Sequence, residues 1–167
     1  MPYPQHLPLH QLFAQRILQV EQLEKLSAKK YVQLAKAAHT DELAKCLNPE
    51  STDIPAHQQR ISLIKKLIPK TEKPEIQHPL SPFQVKSKGS LNQDLILIEY
   101  ALQVQNQKLA LYELLHPIAV ALGLETVPSL IEQTISDNRN TNTWLRQIIQ
   151  NIISPQLTDN ENQPIKS

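Results

Sequence analysis

Apolar residues recur at alternating steps of three and four along most of the chain, the spacing that lines one face of an α-helix. Phe13, Ile17, Val20, Glu24, Ser27, Tyr31, Leu34 and Ala38 form the first such stripe and predict a long amphipathic helix over Leu9–Ala38. His39 and Thr40 mark a turn, and Thr40 stands where a side chain can cap a second helix beginning at Asp41-Glu42. Pro49 and Pro55 lie in the path of that helix. An interior proline costs about 3 kcal/mol or more, so a break is expected between Leu47 and Ala56. Helical spacing resumes through His57, Ile61, Ile64 and Ile68, and Pro69 stops it.

No period is visible from Lys70 to Gly89, which holds Pro74, Pro79, Pro82, Lys70, Lys73, Lys86 and Lys88. A surface crossover is expected there, with one helical turn near Phe83. Ser90 and Gln93 form a capping-box pair in front of a third helix. Its buried stripe reads Leu95, Ile98, Leu102, Gln105, Leu109, Tyr112, His116 and Ala119. Pro117 should bend this helix, and Gly123 should end it in a left-handed conformation. Thr126 caps a fourth helix that tolerates Pro128 in its first turn. The inner face of helix four is Val127, Leu130 or Ile131, Ile135, Asn138, Asn142, Leu145, Ile149 and Ile152. Ser154-Pro155 should close it, leaving a polar tail to Ser167.

The expected division is an N-terminal tail over 1–8, a helical domain over 9–153 and a C-terminal tail over 154–167. Two helices joined by a tight turn, a long crossover, and two more joined by a tight turn give an all-α, up-down four-helix bundle. The crossover between helices two and three is the connectivity of ferritin-like bundles.

Composition narrows the functions open to such a bundle. With 167 residues the chain suits one domain. Two glycines exclude a glycine-rich phosphate loop or a nucleophile turn, and one cysteine, Cys46, excludes an internal disulfide or a cysteine-rich zinc module. A net charge of +1 supplies no field for nucleic acid or anionic lipid. Leu114–Leu124, free of charge, is shorter than the about 20 apolar residues that span a bilayer, so no membrane association is expected. With no signal-peptide pattern and a lone thiol, the expected compartment is the cytoplasm. Ser62 to Lys65 spells S-x-x-K but has no companion motif. Cys46 reads as a small buried hydrophobe, and Trp144 as a residue at the core edge or a dimer contact.

One level of the inner faces is polar. Glu24 on helix one, Asp53 and His57 on helix two, Gln105 and Lys108 on helix three, and Asn138 and Asn142 on helix four all fall near the middle of their helices. A dinuclear centre in such a bundle takes a glutamate from each of two helices and a Glu-x-x-His pair from each of the others. The chain offers Glu24, Asp53 and His57, whereas helices three and four present neutral amides and the cationic Lys108. No metal is therefore expected; if one binds, its ligands are Glu24, Asp53 and His57. The larger weight goes to a hydrogen-bonded polar layer that sets helix register, with Glu24 either protonated or paired with Lys108.

The chain resembles the YciE/YciF-type bacterial stress proteins, a group of unknown function in the ferritin-like superfamily. Glu24-Lys25 followed by Leu34-Ala35-Lys36-Ala37 is similar to the family's first-helix pattern, with Glu24 at its metal-ligand glutamate. Asp41-Glu42-Leu43 and Gln59-Arg60-Ile61 resemble its second helix, and Asp94 through Val104, Tyr112, Gly123, Thr134 and Leu145 its second half. Departures fall on the ligand positions: the family's H-L-E-E-T reads Glu50-Ser51-Thr52-Asp53-Ile54, its E-x-x-E reads Gln105-Asn106-Gln107-Lys108, and its D-E-E reads Ser136-Asp137-Asn138. Glu24 is kept, with Asp53 and Asp137 as partial substitutes. The resemblance implies the fold and a homodimer. The functional expectation is a non-enzymatic, stress-associated bundle without cofactor, its dinuclear site decayed, acting through contacts with a protein partner. The alternative is a residual metal-binding or redox protein using Glu24, Asp53 and His57. An immunity- or inhibitor-type binding partner is a third reading, with no motif in its favour.

Overall fold

The computed structural model describes residues 8–70 and 89–161. Its elements are α1 (Leu9–Ala37), α2 (Asp41–Cys46), α3 (Ile54–Lys66), α4 (Leu91–Ala121) and α5 (Val127–Ile148). A π-helical turn (Ile149–Ile153) then leads into α6 (Ser154–Glu161). The crossover and the helical turn expected near Phe83 lie largely outside the described residues, as do the two chain ends.

Every position of the first predicted stripe is buried. The proline-bearing second helix divides as expected. α2 ends before Pro49, and Pro55 sits in the first turn of α3, where a missing N–H deprives the helix of nothing. α1 packs against α3 and α4, and α5 closes the bundle against the same two. α1 and α4 run antiparallel, since Tyr31 reaches Ala101 and Gln105 while Glu24 reaches Lys108 and Tyr112. Two apolar clusters fill the interior. One contains Tyr31, Leu34, Leu97 and Leu145. The other contains Phe13, Ile17, Ile61 and Tyr112.

Local signals hold where backbone chemistry dictates them. The Ser90 hydroxyl accepts from the Gln93 N–H at 3.4 Å, and Gly123 takes φ 69° just past α4. A Cβ at Gly123 would meet nothing within 4 Å, so Gly123→Ala carries only the left-handed backbone penalty. A loss of about 1–2 kcal/mol in chemical denaturation is expected, without loss of fold. Thr126 makes no side-chain cap, and neither does Thr40.

Ser154-Pro155 does not end the chain's last long helix. Proline cannot donate to the carbonyl four residues back, and the chain answers with the π-helical turn at 149–153 before continuing as α6. The wider turn shifts the buried register: Ile148 and Ile153 point inward in place of Ile149 and Ile152. Trp144 lies at the core edge, its indole N–H donating to Glu42 at 3.0 Å, which ties α5 to α2. Cys46 is buried, and burial, with Glu42 nearby, pushes its thiol up to about 12.

Candidate functional site

Between the two apolar clusters lies a polar waist. On α1, Glu24 and Ser27 separate Val20 of one cluster from Tyr31 of the other. On α4, Gln105 and Lys108 stand between Val104 and Leu109, and on α5 Asn138, Thr141 and Asn142 stand between Ile135 and Leu145. His57 contributes from α3, between Ile54 and Ile61. Helical spacing puts each polar residue on the same face as its apolar neighbours, so the eight are carried inward together.

Glu24 and Lys108 are both fully buried, and the Lys108 ammonium donates to Glu24 Oε2 at 3.2 Å. The ammonium also lies 5.3 Å from the centroid of the Tyr31 ring. Glu24 Oε1 accepts from the Tyr112 hydroxyl at 2.8 Å. Burial alone would push the Glu24 carboxyl up, but the charge of Lys108, the nearness of His57 and the Tyr112 hydrogen bond outweigh it and bring it to about 2. Burial draws Lys108 below the ordinary lysine range, against the pull of Glu24. Burial and the Glu24 charge drive both Tyr31 and Tyr112 well up.

His57 lies between two carboxylates. Its Nδ1 is 3.3 Å from Glu24 Oε1, and its Nε2 is 3.3 Å from Asp137 Oδ2. Neither nitrogen is aligned for a hydrogen bond, so the ring is close to both acids and bonded to neither. Asp137 is held instead by Arg60, whose Nη1 donates to Oδ2 at 2.7 Å and also to the Thr134 hydroxyl at 3.2 Å. Arg60 and Asp137 are about one-fifth exposed, at 21 and 22%, and form the side of the waist that meets solvent.

The amides make a separate neutral relay. The Tyr31 hydroxyl donates to Gln105 Oε1 at 2.6 Å, Gln105 Nε2 donates to Asn138 Oδ1 at 2.9 Å, and Asn138 Nδ2 donates to the Thr134 carbonyl at 2.9 Å. Asn142 sits at the edge of this relay, donating to Asn106 at 3.4 Å.

Of the residues expected in the layer, Glu24, His57, Gln105, Lys108, Asn138 and Asn142 meet there. Asp53 does not. It is exposed, has φ 58° and precedes α3, with its carbonyl accepting from the His57 N–H. The expected i,i+4 face fails because the helix begins only at Ile54, so Asp53 is outside it and cannot share a face with His57. Asp137 occupies the place by His57 that Asp53 was expected to take. Tyr31, Tyr112 and Arg60 complete the network unforeseen. The two tyrosines read as core stripe, although a buried phenol needs a partner, which was the available signal. Arg60 follows His57 by three residues, one helical turn along the same side.

Glu24 is sealed from solvent, and Lys108 is bound to it. Among the described residues no three His, Cys, Asp or Glu side chains converge as a metal-binding group. No helix among them is long and apolar enough to cross a membrane.

This architecture has a counterpart among solved structures. The crystal structure of the E. coli stress protein YciF superposes with a TM-score of 0.73 at 16% identity, covering 89% of this chain and 99% of that one. At that identity the likeness shows the fold. No curated protein sequence matches the chain. The sequence profile described as "Domain of unknown function (DUF892)" matches residues 8–158, and this chain belongs to that family.

Proposed function

We propose that this protein is a non-enzymatic bundle, related in role to the stress protein whose fold it shares, that works through protein–protein contacts in the cytoplasm. Homodimerisation and an additional protein partner are part of this reading. In it the centre of the bundle is a register-setting polar layer, and the ancestral dinuclear metal site has decayed.

The observation that carries this reading is the charge balance of the waist. Glu24 and Asp137 supply two negative charges, Lys108 and Arg60 supply two positive ones, and each acid already spends an oxygen on its basic partner. Two divalent cations need several anionic oxygens to offset them. Here they would meet a neutral cluster and add their charge to a closed interior, a cost of several kcal/mol per ion even after relaxation. The residues present do not fit a dinuclear centre.

Elemental analysis of protein purified without chelator should find well under one equivalent of iron, manganese or zinc. Its melting midpoint should not rise with added metal, because a ligand held only by the folded state must raise it. Near-stoichiometric metal that disappears in Glu24→Ala would reverse the conclusion. Light scattering across a concentration series tests the dimer. A monomer at every concentration would remove that part of the proposal.

A second reading, a single residual cation, has one observation in its favour: both nitrogens of buried His57 lie close to acids yet make no hydrogen bond. Its ligands would be His57 and one flanking acid, Glu24 on the Nδ1 side or Asp137 on the Nε2 side, since Asp53 lies outside the waist. The same metal analysis decides between the two.

A further inference from the structure

We infer that Lys108 is the built-in cation of this bundle: its ammonium stands in for a metal ion, and this one residue keeps divalent ions out. The inference rests on the reading of a closed, neutral centre and goes beyond it by naming the residue responsible.

Lys108 is fully buried, and its nitrogen is 3.2 Å from Glu24 Oε2, on the acid whose other oxygen faces His57. Buried lysines are rare because the ammonium must leave water. This one is retained with a single carboxylate partner and an aromatic face. His57 stands between Glu24 and Asp137, each acid 3.3 Å from a different ring nitrogen and neither nitrogen engaged in a hydrogen bond, so the three do not by themselves converge on one ion. An imidazole nitrogen and a carboxylate are donor types that a transition metal takes. What the cluster also lacks is net charge. Counting Glu24, Asp137, Lys108 and Arg60, the cluster sums to zero. Replacing Lys108 by a carboxylate changes the sum by two units, to the charge that one divalent cation neutralises. Glutamate is also shorter than lysine, which leaves room for an ion between the two acids. The waist meets solvent on the Arg60–Asp137 side, about one-fifth exposed at 21 and 22%.

The test uses full-length protein and Co2+ as the probe, followed by calorimetry and by visible absorption of the bound ion. Wild type should take up less than about 0.1 equivalent. Lys108→Glu should bind close to one equivalent, at least 100-fold more tightly than wild type, with a raised melting midpoint. Adding Glu24→Gln to Lys108→Glu should abolish the uptake. Lys108→Gln, which removes one charge unit, should fall between wild type and Lys108→Glu.

A folded Lys108→Glu that binds no better than wild type overturns the inference and leaves the closed-centre reading standing. Wild type that itself binds Co2+ through Glu24 overturns that reading and the inference with it. If Lys108→Glu is unfolded without metal, recovery of helical circular dichroism on adding Co2+ supports the inference. Without such recovery Lys108→Gln decides: uptake above wild type supports it, and no gain overturns it.

Discussion

Lys108→Met lowers the unfolding free energy by about 3–5 kcal/mol at pH 7, the usual cost of leaving one member of a buried ion pair behind. The methionine fills most of the lysine's volume, so the loss is electrostatic: Glu24 remains in a sealed interior with only Tyr112 donating to it. Introducing Glu24→Gln into the same chain should recover the greater part of the loss. The amide keeps an oxygen for the Tyr112 hydroxyl and needs no counterion. Denaturant unfolding of the four proteins in a double-mutant cycle measures the coupling. Additive single effects would show that the two groups do not act as a pair.

The same pair makes a pH prediction whose sign follows from linkage. The Glu24 carboxyl is held at about 2 in the fold against 4.5 when unfolded. A depressed carboxyl contributes stability that is fully present above the unfolded value and fades as pH falls through the folded one. The gap between wild type and Lys108→Met should therefore narrow between pH 4.5 and pH 2. A gap that widens on acidification would contradict the pairing.

Asp94→Ala is the second large expected loss, about 2–4 kcal/mol. Asp94 is fully buried in the first turn of α4, and its carboxylate accepts three bonds from the α1–α2 turn. The His39 N–H reaches Oδ1 at 2.8 Å, the Thr40 N–H reaches Oδ2 at 2.8 Å, and the Thr40 hydroxyl reaches Oδ2 at 2.5 Å. Hydrogen bonds to a charged acceptor contribute roughly 1.5–3 kcal/mol each and are not additive. His39 is exposed and can rehydrate its N–H, which limits the total. Thr40→Val removes only the hydroxyl bond and should cost about 1–2 kcal/mol. Amide exchange at His39 and Thr40 should accelerate in Asp94→Ala well beyond the change at Leu43. Unchanged protection there would show that the turn holds itself.

Much of the fold is legible residue by residue. The stripe from Phe13 to Ala38 needs only the helical period. The division of helix two follows from Pro49 and Pro55, and the end of α4 follows from Gly123. A Glu24–Lys108 pair is legible only as one of two options, beside a protonated Glu24, because both residues fall at the polar level. Two features are not. Whether Asp53 or Asp137 stands beside His57 depends on where α3 begins, and a shift of one residue at a helix start turns a side chain by about 100°. Asp94, 54 residues from Thr40, gives no periodic signal. An acid in a first helical turn looks like a favourable charge at the helix dipole, whatever else it holds.

Helix positions, their inner faces and a polar level at mid-height are properties of the sequence itself, because local propensity and the 3.6-residue period act through near neighbours. Which acid meets which base was settled only by packing four helices side by side. Side-chain reach across a bundle is a few ångströms, and the relative rotation and height of the helices set those ångströms. The pairing of Asp137 with Arg60, and the capture of the α1–α2 turn by Asp94, belong to that second kind.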